Sequence, residues 1–294
     1  MTTPPYAVVV VLHNSEPDLQ RLLASLATAD PAPARVVVVD AGSTDAGPER
    51  ARTAGCEVIV AGDVGFGAAN NAAIAQLAEP VTILLNPDVV VTAPGSLGAL
   101  ACLATEQDAL HVPRLLNLDG SVQDSAHLRP GSPAALAAAL LPARLLPRAL
   151  VPWRARGTTV VGWAIAAAVA ARSDRLRALG PFDAAEFLFY EDLDLCLRAQ
   201  ATDVPTVLHP SIVMTHRGGH ATRPAYGGEP YELLARRRRT VVQATLGSRA
   251  VVWDDLAQAA GFLRSAALRG LLRKGASRPL RQLRALVTAR RRQR

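Results

Sequence analysis

Apolar residues form short continuous blocks along the first ninety positions of the chain. Residues Ala7 to Leu12 are an unbroken valine-rich run, and the runs Arg35 to Val39, Glu57 to Val60 and Val81 to Leu85 have the same character. The first two runs lack polar alternation, which indicates strands that are buried on both faces, as in a parallel sheet, and the other two runs predict further strands. The sequence therefore predicts a sheet whose first four strands lie in this region.

Between these runs, apolar residues recur at helical spacing. The segment Glu16 to Ala27 has leucines three and four positions apart, and Ser15 precedes it as a candidate N-cap. Further helices are expected up to about Ala54 and from Gly65 to about Leu77. This β-α-β-α alternation predicts a doubly wound α/β sheet with a ligand site at the carboxyl ends of its strands.

The pattern becomes looser after Pro94, where a helix is expected up to about Ala104. Asp119-Gly120 suggests a hairpin turn. Residues 130–157 are rich in proline, alanine and arginine, which predicts a mobile loop with one helical piece, and residues 158–170 return to the core.

Closer to the C-terminus, Ser173 is expected to cap a helix that ends at Leu179 before Gly180-Pro181. Two short strands are predicted at Thr206 to Leu208 and Ile212 to Thr215. From residue 230 onward the pattern is helical.

An acidic segment follows an aromatic run in the second half of the chain. Glu191, Asp192 and Asp194 lie within four positions, and the spacing of Leu195 and Cys196 predicts a helix that places Asp192 on its buried face. Carboxylates in a first helical turn are favoured by the helix dipole, so this segment alone is equally consistent with a structural helix start and with a site.

The net charge of +7 conceals an asymmetry along the chain. Residues 236–294 hold 16 basic and 2 acidic residues, a balance of 16 − 2 = +14, whereas residues 1–235 hold 16 basic and 23 acidic residues, a balance of 16 − 23 = −7. A basic tail on an acidic body favours contact with an anionic surface, either phospholipid or nucleic acid. Because Lys274 is the single lysine, the abundance of arginine says little by itself.

Compartment and membrane topology follow from cysteine use and hydropathy. The 3 cysteines are far apart and lack metal-ligand spacing, which is typical of reduced thiols in the cytosol. The first residues lack the pattern of a signal peptide, and no apolar run reaches the roughly 20 residues of a membrane span. A cytoplasmic protein is expected.

Several candidate functional groups lie where strands are expected to end. Asp40 follows the second strand, Asn86-Pro87-Asp88 follows the fourth, and His216 follows the last. A divalent cation needs only one or two protein ligands when a diphosphate supplies the rest, and Asp88 with His216 would suit that. Each of these residues taken alone also has an ordinary turn or structural explanation. The Gly65-Phe66-Gly67 loop lacks the third glycine of a dinucleotide fingerprint and follows the third strand, so an NAD fold is disfavoured.

The order of several segments is more specific than any one of them. The segments are VVLHNS (10–15), VVVDAGSTD (37–45), GFGAANNAAI (65–74), LLNPDVVV (84–91), PRLLNLDGSVQDSA (113–126), LGPFDAAEFLFYEDLDLCLRA (179–199) and HPSIVMTHRGG (209–219). In this order the chain resembles family 2 glycosyltransferases with the GT-A fold, especially bacterial rhamnosyltransferase-like members. The resemblance implies a Rossmann-like mixed sheet flanked by helices, with a basic helical C-terminal extension.

The resemblance also implies roles for individual residues. Asp192 would be the base that accepts a proton from the acceptor hydroxyl, with Glu191 positioning the acceptor and with no unusual tuning of the base. Asp88 would stand for the metal-binding acid of the family's DxD motif, Asn86 would replace its first acid, and His216 would be a later metal or diphosphate ligand. The residues assigned to binding the nucleotide-sugar are Leu12, His13, Asn14, Asp40, Gly65, Phe66, Gly67, Asn70 and Asn86.

The implied activity is metal-dependent (Mg²⁺ or Mn²⁺), inverting transfer of a sugar from a nucleotide-diphospho-sugar to a glycan or polyprenyl-diphosphate-linked acceptor in cell-wall or surface-polysaccharide synthesis. L-rhamnose from dTDP-rhamnose is the expected donor, with a UDP-sugar as the alternative. Leu12, His13 and Ala41 depart from the residues usual in the family, and Val161-Gly162-Trp163 stands where a Ser-Gly-Ala turn is usual. The catalytic domain is expected at 1–229, with a nucleotide-sugar half at 1–92 and an acceptor half at 93–229, followed by the tail at 230–294.

The tail contains a basic amphipathic pattern from Asp254 to Lys274, suited to an anionic membrane leaflet. Peripheral association with the inner face of the cell membrane is expected, and an oligomer is possible. The alternative for the tail is a helix packed on the catalytic domain.

Two other protein classes are alternatives: a non-catalytic protein that binds nucleic acid or membrane through its tail, and a nucleotidyltransferase. The former does not explain the ordered acidic motifs, and no aromatic residue for base stacking lies among the arginines after Phe262. The latter lacks a phosphate loop after the first strand.

Overall fold

The computed structural model describes residues 2–180, 182, 189–218, 229–273 and 275–292. The strands in chain order are β1 (Tyr6–Leu12), β2 (Arg35–Asp40), β3 (Glu57–Val60), β4 (Val81–Leu85), β5 (Val89–Val91), β6 (Leu110–Leu116), β7 (Ala126–His127), β8 (Thr159–Val161), β9 (Trp163–Ala164), β10 (Ala168–Arg172) and β11 (Thr206–His216). The helices are α1 (Glu16–Leu26), α2 (Gly47–Thr53), α3 (Phe66–Ile74), α4 (Ser96–Glu106), α5 (Pro133–Leu140), α6 (Ser173–Leu179), α7 (Glu191–Ala201), α8 (Tyr231–Leu271) and α9 (Ser277–Arg292). Residues 181, 183–188 and 219 of the resembling segments, and the tail residues Lys274 and Arg294, lie outside the described residues.

The main sheet is mixed, with the strand order β3-β2-β1-β4-β10-β6-β11-β5 and β8 paired to the first part of β11. Strands β3, β2, β1 and β4 are parallel to one another, as the continuous apolar runs predict. The antiparallel strand β10 joins this half to β6 and β11. A small second sheet pairs β7 with β9.

Helices cover both faces of this sheet, and β1 shows how the faces divide. Ala7, Val9 and Val11 pack in one buried cluster with apolar residues of α3, α6 and α7. Val8, Val10 and the other alternate residues of β1 pack in a second cluster with α1, α2 and α4. Since successive side chains of a strand point to opposite faces, a strand that is apolar at every position lies between two helical layers.

The C-terminal helices pack on this body. Helix α8 turns sharply at Gly247, whose φ of 80° lies in the left-handed region, and Val242 and Val251 on either side of the turn lie in the same buried cluster as α7. Helix α9 and helix α5 both pack against α8. In the described part of the chain, no helix combines the length and hydropathy needed to cross a bilayer. The packed tail weighed as an alternative is therefore observed for part of α8, and the boundary at residue 229 stays a prediction.

The two predicted helix caps differ from the structure in detail. Ser15 lies at the N-cap position of α1, but its hydroxyl donates to the carbonyl of His13 at 2.8 Å, and Asp45 instead accepts from the Glu16 amide at 2.8 Å. Ser173 is the first residue of α6 rather than its cap, because its hydroxyl is paired with that of Thr82 at 2.7 Å.

The two short strands predicted near the end of the sheet are one strand, β11. Its pairing with β6 is interrupted between His209 and Val213, next to Pro210, which has no amide hydrogen for the ladder. The helical piece expected within 130–157 is α5, capped by Ser132, and it packs against α8 rather than forming an open loop.

Candidate active site

The carboxyl ends of β1, β2 and β4 lie at one edge of the sheet. Leu12 pairs with Asp40 in the β1–β2 register, and Val10 pairs with Leu85 in the β1–β4 register. The segments that leave these strands therefore begin side by side, and they carry most of the predicted binding residues. This is the edge at which open α/β sheets bind ligands.

Hydrogen bonds tie the loops after β1 and β2 together. Asn14, with φ of 48°, accepts the amide of Thr44 at 2.8 Å through its side-chain oxygen, and the His13 ring nitrogen Nδ1 lies 2.8 Å from the carbonyl oxygen of Ala41. Asp40 accepts the amide of Ser43 at 2.8 Å through Oδ1, while none of the described residues donates to its Oδ2. A buried carboxylate with one free oxygen suits recognition of N–H donors such as those of a nucleobase.

The glycine-rich segment forms the start of α3. Gly65 precedes the helix with φ of 80°, a conformation that favours glycine, and Phe66 packs edge-to-face on Phe182 with ring centroids 5.8 Å apart. Asn71 binds both the amide and the carbonyl of Phe182, at 3.2 and 2.8 Å. The predicted binding residues Gly67 and Asn70 are buried within the helix, and the side-chain amide of Asn70 donates to the Phe66 carbonyl at 3.0 Å.

The Asn86-Pro87-Asp88 turn connects β4 to β5. The Asn86 amide donates to the carbonyl of Ala167 at 2.8 Å, just before β10. Among the described residues, nothing donates to the buried side-chain oxygen Oδ1 of Asn86. An enclosed carbonyl oxygen without a donor is costly in an empty protein, so it indicates a place that a cation or a ligand hydroxyl can complete.

Asp88 and His216 are brought together because β5 pairs with the end of β11. His216 lies opposite Val89 in this register, and its Nε2 is 3.3 Å from Asp88 Oδ1. Asp88 Oδ2 accepts the Gly218 amide at 2.8 Å. Burial alone would raise the pKa of Asp88, but the hydrogen bond and charge of His216 and the Gly218 amide hold it below its ordinary value.

Gln123 fixes the orientation of the His216 ring. Its Nε2 donates to the side-chain oxygen of Asn117 at 3.0 Å and to the His216 carbonyl at 3.3 Å, which leaves Oε1 to face His216 Nδ1 at 2.8 Å. The Nδ1–H group then donates to Gln123, and Nε2 faces Asp88. A histidine oriented in this way is prepared to bind a cation together with the carboxylate.

Asp88 and His216 could supply part of the ligand set of a divalent cation. No cluster of three or more His, Cys, Asp or Glu side chains suited to a metal occurs in the described ranges. Asp88 and His216 offer two ligands, which matches a cation that takes its remaining oxygens from a diphosphate and water. The residues present therefore fit a metal held jointly with a substrate.

The acidic pair begins α7 after two strained residues. Phe189 and Tyr190 have φ values of 76° and 62°, in the left-handed region that non-glycine residues rarely occupy. Asp192 accepts the backbone amides of Leu193 and Ala166. Since Ala167 next to it binds Asn86, this contact brings Asp192 alongside the Asn-Pro-Asp turn.

Both carboxyl groups of the pair are hard to ionise. Burial raises the pKa of Asp192 to about 6, even though two backbone amides and the charge of Arg238 favour its carboxylate. Burial and the neighbouring Asp192 raise the pKa of Glu191 to about 8, and nothing in the described chain donates to its buried Oε2. The expectation that the base needs no unusual tuning was wrong, because the pair is enclosed at the start of α7.

Burial of both groups, with the charge of Asp192 beside Glu191, therefore favours a pair that shares one proton near neutral pH. A carboxylate with a pKa just below the working pH is suited to general-base chemistry. Asp194 has a separate partner: it forms an ion pair with Arg198 at 2.7 Å within the helix, which indicates a structural role.

Three contributors were not singled out by sequence reasoning. Gln123 contacts the His216 ring, and the backbone amide of Ala166 donates to Asp192. Arg238, from the tail, places its charge near Asp192. Gln123 lies inside one of the resembling segments, which is the signal that could have identified it. A backbone donor and a distant arginine leave no pattern at the spacing of a motif.

The comparisons with known proteins agree with this geometry. The model of glycosyl transferase family 2 matches residues 7–130. An N-acetylglucosaminyl-diphospho-decaprenol L-rhamnosyltransferase of Mycobacterium tuberculosis (strain ATCC 25618 / H37Rv) is 31% identical over 254 residues, which cover 79% of this chain and 81% of the relative.

Solved structures share the fold at low identity. Mannosyltransferase PcManGT from Pyrobaculum calidifontis, in complex with GDP-Man and Mn²⁺, matches with a TM-score of 0.59 and 15% identity over 98% of this chain and 86% of that one. S. aureus TarS 1-349 in complex with UDP-GlcNAc matches with a TM-score of 0.58 and 18% identity over 97% and 79%. The predicted GT-A fold is confirmed, and by its curated relative and its family model the chain belongs to glycosyl transferase family 2.

Proposed function

We propose that this glycosyltransferase moves L-rhamnose from dTDP-rhamnose to a hydroxyl of a polyprenyl-diphosphate-linked N-acetylglucosamine, with inversion at the anomeric carbon, in cell-wall polysaccharide synthesis. The relative named as a decaprenol-linked L-rhamnosyltransferase supports the donor and acceptor. The observation that carries the proposal is the contact chain from Asp192 through Ala166 and Ala167 to Asn86. It supports a role for Asp192 as a base that acts next to the Asn86-Pro87-Asp88 turn, where the diphosphate would bind.

The nucleotide-sugar is proposed to lie along the sheet edge. Asp40 would accept N–H groups of the nucleobase through its free oxygen, and His13 and Asn14 would line the same pocket. The start of α3 would approach the nucleotide through Gly65, where the backbone carries no side chain. Asp88 and His216 would hold a divalent cation, Mg²⁺ or Mn²⁺, which neutralises the charge that develops on the departing diphosphate.

The acceptor hydroxyl is proposed to approach from the side of α7. Asp192 takes its proton as the oxygen forms a bond to the anomeric carbon, and the bond from that carbon to the diphosphate oxygen breaks. The nucleoside diphosphate leaves with the electron pair of the broken bond. Glu191, protonated at neutral pH, donates a hydrogen bond to an acceptor oxygen and so orients it.

The test of the reaction is a direct product assay. The protein is incubated with Mn²⁺, a polyprenyl-diphosphate N-acetylglucosamine and either dTDP-rhamnose or UDP-sugars, and the products are identified by mass spectrometry and NMR. The proposal predicts a rhamnosylated lipid of opposite anomeric configuration and one dTDP for each sugar transferred. Transfer from a UDP-sugar alone would contradict the donor, and a retained configuration would contradict the mechanism.

Peripheral membrane binding through the tail is proposed for the same protein. Arg264 donates to the carbonyls of Ala138 and Leu141 at the end of α5, which joins α5 and α8 into one surface. This surface exposes apolar side chains: Leu140, Leu141, Leu145, Val252, Trp253, Leu256, Leu263 and Leu271. Exposed apolar residues among arginines are typical of helices that lie in a membrane interface, and an acceptor on a lipid carrier requires access to that interface.

Vesicle sedimentation tests this surface. Binding to phosphatidylglycerol vesicles is expected at low salt, with weaker binding to phosphatidylcholine vesicles. Leu263→Glu is expected to reduce binding, whereas the control Val60→Glu, at an exposed apolar residue of β3, is expected to leave it unchanged. Equal loss in both variants, or no binding by the unaltered protein, would contradict the proposed surface.

A further inference from the structure

The C-terminal helix α8 folds back on itself and carries an arginine to the acidic pair. Arg238 and Asp254 are 16 positions apart on α8, which is about 24 Å along a straight helix. They nevertheless form a two-pronged ion pair with both N···O distances at 2.8 Å, so the turn at Gly247 brings the two arms together. The side chains of Arg238 and Asp254 are 14% and 3% exposed.

Arg238 contacts the residues that lead into α7. Its guanidinium carbon lies 5.6 Å from the ring centroid of Tyr190 and 5.7 Å from that of Trp163. It also hydrogen-bonds to the Tyr190 side chain. Trp163 is stacked on His127 at 4.2 Å, so the arginine is held against a fixed aromatic wall.

Tyr190 is the residue that needs such an anchor. Tyr190 directly precedes Glu191 and has a left-handed φ of 62°, a strained conformation that a non-glycine residue keeps only where the surrounding structure enforces it. We propose that Arg238 is a positioning residue of the active site, which holds the Tyr190 turn in place and fixes a positive charge beside Glu191 and Asp192. The two arms of α8 on either side of Gly247, the C-terminal hairpin, are then a component of the catalytic centre in addition to any role at a membrane.

The charges around Asp192 make this testable through pH dependence. The titratable and charged groups that face it are Glu191, Tyr190 and Cys196 from its own segment and Arg238 with its partner Asp254 from α8. The charge of Arg238 favours the Asp192 carboxylate, so its removal raises the pH at which the base ionises. Removal of the Asp254 charge leaves the Arg238 guanidinium unneutralised, so it lowers the pH at which Asp192 ionises.

The experiment compares the acid limb of kcat/KM in the full-length protein, and it rests on the proposed transfer reaction. Arg238→Met is expected to move the limb up by about 0.5 to 1 pH unit, and Asp254→Asn is expected to move it down. Arg238→Lys, which keeps the charge and loses the two-pronged pairing, is expected to keep the wild-type limb with a lower kcat. If Arg238→Met does not fold, the opposed behaviour of Asp254→Asn and the unshifted limb of Arg238→Lys still decide the matter.

The matched control is Arg239→Met, which breaks the neighbouring Arg239–Asp255 ion pair on the same hairpin. It is expected to lose comparable stability and to keep the wild-type acid limb. The proposal is overturned if Arg238→Met and Asp254→Asn leave the limb unchanged or move it in the same direction. An unaltered protein that transfers no sugar would instead count against the proposed function.

Discussion

The shared proton of the acidic pair predicts an unusual dependence of stability on pH. Burial raises the pKa of Glu191 from an ordinary 4.5 to about 8, so between these values the native state holds a proton that the unfolded chain has lost. Folding stability contributed by such a group is fully present below the unfolded pKa and is lost as the pH rises toward the folded pKa. Each pH unit inside this window weakens the fold by about 1.4 kcal/mol.

The magnitude follows from these pKa values. Between about pH 6.5 and about pH 8.5 the loss is about 2 kcal/mol, because Glu191 ionises in the native state above about pH 8 and the slope then flattens. Glu191→Gln removes the titrating group and keeps the shape of the side chain. The variant is therefore expected to lose about 2 kcal/mol less than the unaltered protein over this interval.

Urea unfolding at the two pH values measures this difference. The control is Glu49→Gln, since the Glu49 side chain is 75% exposed and paired only with Arg52 among the described residues. Groups common to all three proteins cancel in the comparison. Stability curves for Glu191→Gln and the unaltered protein that run parallel with pH would refute a buried proton on Glu191.

Three further predictions concern the proposed metal ligands and the packing around the site. Gln123→Leu removes the acceptor that orients the histidine ring, and Mn²⁺ affinity in the presence of nucleoside diphosphate is expected to fall by about 10- to 100-fold in calorimetry. Asp88→Asn removes a ligand charge, so calorimetry is expected to show Mn²⁺-dependent nucleotide binding weakened by about 10-fold or more, with metal-free binding unchanged. Gly162→Ala would place a Cβ 2.0 Å from the Arg129 amide nitrogen and is expected to destabilise by about 1 to 3 kcal/mol in urea unfolding, whereas Gly157→Ala, with no atom within 4 Å, is expected to change little.

The central strands of the parallel half were predictable because they are buried on both faces. The apolar runs at β1, β2 and β4 match the observed strands within about a residue, since burial between two helical layers leaves no polar alternation to blur them. The run at β3 also matches, although this edge strand is exposed at Glu57 and Val60. The later strands were harder to predict. In β11 a proline interrupts the pairing, so one strand has the sequence pattern of two.

The residues of the candidate site also differ in how far the sequence predicts them. Asp88 and His216 could be proposed from sequence because acids and histidines at strand ends have few structural uses in combination. The ionisation of Asp192 and Glu191 could not, because it depends on burial by residues that are distant in sequence. Arg238 contacts Tyr190 and Trp163 from α8, and the non-helical turn at Gly247 brings Asp254 back to it; the spacing of residues in the tail reveals neither contact.

The most direct test of the account is the behaviour of Asp192→Asn, with Asp194→Asn as the matched control on the same helix. Product formation from dTDP-rhamnose and the lipid-linked acceptor is measured beside the calorimetric affinity for the donor with Mn²⁺. The account predicts that Asp192→Asn loses transfer by about 1000-fold or more while its donor affinity stays within about threefold, and that Asp194→Asn remains active. Transfer retained by Asp192→Asn, or donor binding lost together with transfer, would contradict the assignment of the base.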